Sequence, residues 1–128
     1  MHFSEKMLDH FEHPRNVGTM DEADPDVGTA TITATQCGDI TKLHLRIDET
    51  GRIVDVKFKT FGCGAAIASA SVATEWIKGK TIEEAVEVKD AHIAKELELP
   101  PHKVHCSVMT ENAVRTAIDD WKRKNGKL

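Results

Sequence analysis

Hydrophobic periodicity changes once along this chain, and that change constrains the fold more than any other feature. Between residues 29 and 59, three runs alternate apolar and polar positions. Thr29-Ala30-Thr31-Ile32-Thr33-Ala34-Thr35 interleaves threonine with apolar residues. Leu43, Leu45 and Ile47 alternate with His44 and Arg46, and Val54, Val56 and Phe58 alternate with Asp55, Lys57 and Lys59. A period of two belongs to a half-buried strand. Asp48 to Gly51 joins the last two runs as a short hairpin loop, with Gly51 free to take positive φ. The connection through Gly38-Asp39 is also short, so three antiparallel strands in sequence order are expected.

Helical patterns flank these runs. Ser4 to Glu12 reads as a short helix, with Ser4 as N-cap and Met7, Leu8 and Phe11 on one face. His13-Pro14 ends it, because the residue before proline is pushed out of the α region. Residues 15 to 28, rich in Asn, Gly, Asp and Pro, read as a loop. Ala65 to Lys78 is a helix of small apolar residues stopped by Gly79. Thr81 and Glu84 fit the capping box of a short helix, and Ala91 to Leu97 fits another. The last helix starts after Pro100-Pro101, carries a broad apolar stripe from Val104 to Trp121, and exits through Lys122-Arg123-Lys124, cations that complement its dipole. The expected class is α+β: one three-stranded antiparallel sheet with helices packed on one face. The other face, bearing His44, Arg46, Lys57 and Lys59, is expected to meet water.

At 128 residues the chain suits a single domain, residues 1–128. A net charge of -4 argues against nucleic acid as a partner, since phosphate binding needs a basic patch. No apolar run approaches the roughly 20 residues that cross a bilayer. The N-terminus lacks a basic stretch leading into an apolar one, so a cytoplasmic protein is expected.

Three cysteines fall where these segments end. Cys37 precedes Gly38-Asp39 in the turn between the first two runs. Cys63 stands between Gly62 and Gly64, after the third run and before the alanine-rich helix. Cys106 follows His105 in the first turns of the last helix. An odd count without a secretion signal speaks against a disulfide framework; the plain alternative is three small core side chains. In a meander, the end of strand one and the end of strand three share an edge of the sheet, so Cys37 and Cys63 are expected together. Whether the last helix brings Cys106 there is left open by the sequence. With Asp39 and His105 the thiols make five candidate ligands where a tetrahedral site needs four. Such a sulfur-rich set suits iron–sulfur chemistry or zinc rather than magnesium or calcium.

Local chemistry favours thiolates, because Cys63 and Cys106 lie near helix N-termini, whose partial positive charge lowers a thiol pKa. Asp39 reads either as an exchangeable oxygen ligand or as a turn residue bonding nearby N–H groups. Neighbours on a helix point about 100° apart, so His105 and Cys106 read as alternative rather than simultaneous ligands.

Three motifs resemble those of the iron–sulfur cluster assembly scaffolds of the IscU and NifU N-terminal type. They are Cys37-Gly38-Asp39, then Phe61-Gly62-Cys63-Gly64-Ala65-Ala66-Ile67-Ala68-Ser69, then Leu99-Pro100-Pro101-His102-Lys103-Val104-His105-Cys106-Ser107. Ser4-Glu5-Lys6 through Gly18 and Thr74-Glu75-Trp76 through Lys80 are similar too, so the resemblance spans nearly the whole chain.

That resemblance implies a carrier rather than a turnover enzyme. A 2Fe-2S cluster would be built from iron and from persulfide sulfur supplied by a cysteine desulfurase, with electrons from a ferredoxin, and then passed to acceptor apo-proteins. Cys37, Cys63 and Cys106 would be ligands, Asp39 and His105 the positions that tune lability, and Cys106 the persulfide acceptor. Zinc would be an alternative occupant, and a homo-oligomer could hold the cluster. Leu99, Pro100, Pro101, His102 and Lys103 match the segment that an Hsp70-type chaperone reads with its co-chaperone. The family has valine where this chain has His102, which weighs against that recognition. The main alternative is a zinc-bound sulfur-transfer protein. A structural zinc domain fits worse, because no Cys-x-x-Cys knuckle is present.

Overall fold

The computed structural model describes residues 4–34 and 38–127. Its elements in chain order are α1 (Glu5–Glu12), β1 (Val27–Ala34), β2 (Asp39–Ile47), β3 (Ile53–Phe61), α2 (Gly64–Ile77), α3 (Ile82–Ala85), α4 (Asp90–Leu97) and α5 (Val104–Lys124). A 3-10 turn at Pro101–Lys103 leads into α5. The strands pair antiparallel in the order β1-β2-β3, and Thr29, His44 and Lys57 share one row across the sheet. Asp48 closes the β2–β3 loop: its Oδ1 accepts from the Thr50 and Arg52 N–H groups, and Gly51 takes φ +86.

Alternation along the strands sends Leu43, Leu45, Val56 and Phe58 to one face, where they meet Ala70 and Ile77 of α2 and Ala113, Val114, Ala117 and Ile118 of α5. All of these are at most 3% exposed, and each fully buried large side chain contributes about 1.5–3 kcal/mol. The small residues of α2 let α1, α4 and α5 close around it. Met7, Ala66, Val72, Ile93, Leu97, Cys106 and Met109 form a second apolar cluster there. The architecture is α+β, a three-stranded antiparallel sheet with five helices packed against it. No described helix is long and apolar enough to cross a membrane.

Three local expectations are corrected. The first is the outer face of the sheet, which is not open to water throughout: His44 is 1% exposed. The acidic loop before β1 folds over that face and is pinned by Glu22–Lys42 at 3.0 Å and Asp24–Arg46 at 2.9 Å. Lys124 of α5 donates to the Glu22 and Val27 carbonyls. Alternation identifies a polar face, yet it carries no information on a distant segment that closes over it.

The second concerns residues 15 to 28, which are not loop throughout. Asn16 and Gly18 pair their backbone with Phe58, covering the β3 edge, and β1 begins at Val27. The third is the face by which α1 packs. Ser4 does cap it, but its buried residues are Met7 and His10, while Leu8 and Phe11 stay 40% and 44% exposed. His10 is held by Ser71 Oγ at 2.7 Å and Glu75 Oε1 at 3.3 Å, so a hydrogen-bonded imidazole takes the place of an apolar contact.

Candidate metal centre

The end of the sheet away from the β2–β3 hairpin gathers the reactive side chains. Ile40 pairs with Phe61, so Asp39, the first residue of β2, lies beside the segment that leaves β3. That segment is Gly62-Cys63. Cys63 is the N-cap of α2 in an extended conformation, and its carbonyl accepts from Ala66 and Ile67 N–H. Its side chain does no capping and is free to point at the neighbouring elements. Cys106, third residue of α5, is fully buried and lies against Cys63. The last helix therefore docks at the sheet end, the point that the sequence left open.

The distances are those of a site. Cys63 Sγ lies 3.5 Å from Cys106 Sγ and 3.4 Å from Asp39 Oδ2, and the Cys63 N–H donates to Asp39 Oδ1 at 3.2 Å. One ligand atom from each of Asp39, Cys63 and Cys106 falls within 4.8 Å of the other two. Metal–sulfur and metal–oxygen bonds of tetrahedral zinc place neighbouring sulfurs roughly 3.8 Å apart and a sulfur–oxygen pair roughly 3.5 Å apart. The Cys63–Cys106 and Cys63–Asp39 separations are close to two edges of such a tetrahedron. Two soft donors and one hard donor fit zinc or iron, and they do not fit the all-oxygen shell of magnesium or calcium.

Cys37 lies outside the described residues, and its place in the ligand set remains the expectation stated above. His105 Nε2 lies 3.5 Å from Cys106 Sγ. It stands at the rim, outside the mutual group of three.

The expected helix-start activation of Cys106 is overturned. Burial pushes its thiol well above the ordinary range. The adjoining Cys63 thiol and the Asp39 charge act in the same direction, and Lys103 opposes them. Removing a sulfur from water outweighs the partial charge of one helix end. Cys63, less buried, faces a cavity of about 330 Å³ that it lines with Met7, Leu8, Phe11, Gly64, Ala65 and Lys103. The α1 wall of the site was missed from sequence, although the apolar surface of Leu8 and Phe11 was its signal. Leu99 packs against the second apolar cluster, and His102 on the following turn faces outward.

Residues 2–128 match the NifU-like N terminal domain family. The iron-sulfur cluster assembly scaffold protein IscU of Azotobacter vinelandii is 55% identical over 126 residues, covering 98% of both chains. The iron-sulfur cluster assembly enzyme IscU of Drosophila melanogaster is 54% identical over 125 residues, covering 98% of this chain and 81% of that protein. Among solved structures, the SUF-system protein FiSufU from Fervidobacterium islandicum superposes with a TM-score of 0.75 at 25% identity, covering 90% of this chain and 95% of that one. The N-terminal NifU-like protein of Brucella abortus shares the fold at 21% identity, with a TM-score of 0.73 and 94% of each chain covered. By the full-length family match and these identities, the chain belongs to the NifU-like N-terminal domain family.

Proposed function

We propose that this protein is a scaffold on which an iron–sulfur cluster is assembled and from which it is passed to acceptor apo-proteins. The observation that carries the reading is the approach of Cys63, Cys106 and Asp39 to within 4.8 Å at one end of the sheet, in a chain whose relatives bear the name of such scaffolds. The cluster is cargo, a 2Fe-2S unit, with Cys37, Cys63 and Cys106 as sulfur ligands. Asp39 and His105 are the exchangeable positions. A carboxylate oxygen binds iron less durably than a fourth thiolate, and a scaffold must let go.

Sulfur arrives as a persulfide on a cysteine desulfurase. The Cys106 thiolate attacks the outer sulfur, the S–S bond of the donor breaks, and the desulfurase thiol is released as thiolate. Two electrons from a ferredoxin then convert that sulfur to sulfide and restore the Cys106 thiolate. A cation held by Cys63 and Asp39 would favour that thiolate, offsetting the burial that opposes it. Leu99, Pro100, Pro101, His102 and Lys103, beside the site, match the segment for an Hsp70-type chaperone and its co-chaperone, with His102 in place of valine weakening that contact. The cytoplasmic location belongs to the same reading.

A second reading has one observation in its favour: the donor spacing suits a single zinc. In it, zinc stays bound and a thiolate leaves it to accept sulfur. Anaerobic reconstitution with ferrous iron, cysteine, desulfurase and reduced ferredoxin separates the two. The scaffold gains visible sulfur-to-iron charge-transfer bands with iron and sulfide bound in equal amounts. A zinc-loaded protein that accepts sulfur yet never gains those bands overturns it in favour of sulfur transfer.

A further inference from the structure

Asp39 is only 2% exposed, and its carboxylate is pressed into the corner between the start of β2 and the segment leaving β3. The space for it comes from Gly62. A Cβ built on Gly62 would fall 2.1 Å from Asp39 Oδ1, 2.5 Å from Asp39 Cγ and 2.9 Å from Asp39 Cβ. No rotation about the Asp39 side chain clears all three, because Cβ itself is fixed by the backbone. The contrast with Gly38 is informative. Gly38 takes φ +73, but a Cβ there would meet nothing within 4 Å. Gly38 is a matter of backbone conformation alone; Gly62 takes φ +156, itself unfavourable for a side chain, and its Cβ position is occupied as well. The volume is filled by the one hard donor of the site, the same carboxylate that accepts from Cys63 N–H and lies 3.4 Å from Cys63 Sγ.

We propose that Gly62 is a positioning residue: by carrying no side chain it keeps the Asp39 carboxylate seated against Cys63, and so fixes the oxygen donor of the metal-binding set. The proposal deepens the function argued above and rests on that reading for its biological meaning, but its physical content concerns the three donors alone. Any side chain at position 62 must expel the carboxylate with a small backbone shift to clear Asp39 Cβ, or spread the β2 and β3 ends apart far enough to keep it. In the first case the site keeps its sulfurs and loses its oxygen, the same loss that removal of Asp39 produces. The positioning role of Gly62 exists only while Asp39 is present, whereas its backbone conformation does not depend on Asp39, so the two positions are expected to be non-additive in metal affinity.

The experiment is a double-mutant cycle on the full chain, using zinc ion alone as the affinity probe and cobalt ion alone as the spectroscopic one. The variants are Gly62→Ala, Asp39→Gly and the two combined. Gly62→Ala is expected to weaken zinc on the order of tenfold or more, as does Asp39→Gly, the usual scale for losing a ligand's support. Both are expected to shift the cobalt bands alike while retaining sulfur-to-cobalt charge transfer. The combined variant is expected to bind zinc no more weakly than Asp39→Gly alone. If Gly62→Ala does not fold, the combined variant is expected to recover part of the lost stability, because Asp39→Gly removes all three clashing atoms and leaves only the backbone strain at φ +156. Wild-type zinc affinity in Gly62→Ala overturns the proposal. So does multiplicative weakening in the combined variant, and so does a failure of Asp39→Gly to recover any stability in an unfolded Gly62→Ala chain. None of these readouts involves cluster assembly. A chain that shows the coupling but builds no cluster keeps the positioning role and loses the scaffold reading.

Discussion

Where β2 turns into β3, the inner face of the sheet is fully covered, although Val54 on the outer face is 44% exposed; at its other end the inner face is left partly open. Ile47, Ile53 and Ile77 at the hairpin end are completely buried. The backbone there is tied across elements, with Ile53 N–H donating to the Lys80 carbonyl, Gly79 N–H to the Ile53 carbonyl and Ile82 N–H to the Gly51 carbonyl. Thr81 and Glu84 cap the short α3 reciprocally. At the sulfur end, Leu8, Phe11 and Ile40 are 38–44% exposed and Phe61 is 66% exposed. Apolar surface left uncovered around a cluster of thiols forfeits burial energy, and surface of that kind marks a place where something else docks. Stability is concentrated at one end, and access to the donors at the other.

The largest effect that tests this division is functional. Cys106→Ser is expected to abolish persulfide loading from the desulfurase, read by intact mass, while far-UV circular dichroism shows a folded chain. Full loading in that variant moves the acceptor role to Cys63 or Cys37. Next comes Ile53→Ala, which opens a cavity in the closed end. It is expected to cost about 2–5 kcal/mol by denaturant titration and to leave zinc affinity unchanged. A loss of zinc affinity in the folded variant would mean that the two ends are not independent.

His44 sharpens the comparison, because it is buried by a loop rather than a helix. Neither of its ring nitrogens has a hydrogen-bond partner among the described residues, and the Thr29 hydroxyl beside it is unpartnered as well. Burial holds its pKa below the ordinary histidine value; Glu22 opposes that shift, and Lys42 and Lys124 reinforce it. Arg46, Lys57 and Asp24 are the other charges nearby on the strands and the covering loop. The folded state therefore favours neutral His44, while the unfolded chain takes up a proton near pH 6.5. The stability tied to the neutral ring is complete above that pH and is lost as pH falls through it toward the lower folded value. His10, also held below its ordinary value by burial, adds to the same acid limb. His44→Leu is expected to raise stability by about 1–3 kcal/mol, since it removes two unpaired polar atoms, and to flatten that limb in part. Unchanged or lower stability would show that the pocket supplies partners for the ring.

Much of this was legible because it is local. Alternation gave the three strands, the Ser4 and Thr81 caps gave two helix starts, and glycine gave the hairpin. Meander topology led to Cys37 and Cys63 at one end of the sheet; Cys37 lies outside the described residues, and Asp39, two residues after it, is found beside Cys63. What stayed hidden depends on contacts between distant segments. Docking of α5, which delivers Cys106, is decided by packing over the whole sheet. The burial that overrides the helix-start effect on Cys106, the closure of residues 20–26 over His44, and the choice of His10 rather than Leu8 for the α1 face all depend on partners far away in sequence. Gly62 was visible as a glycine beside a cysteine, but the reason for it, the Asp39 carboxylate, lies 23 positions earlier in the chain.

The smallest expected effect is the sharpest test of the open end. Phe61 closes β3, pairs with Ile40 and lines a shallow apolar depression with Pro14, Val17 and Ile67. With two thirds of its surface in water, the ring gives the fold little, and Phe61→Ser is expected to change stability by no more than about 0.5 kcal/mol, within the range of ordinary surface substitutions. Serine keeps the backbone pairing with Ile40, so a denaturant midpoint well below wild type would mean that the ring is part of the core and that the sulfur end is closed after all. An unchanged midpoint, set beside the loss from Ile53→Ala eight residues earlier on the same strand, would place the boundary between stabilising and accessible surface within β3 itself.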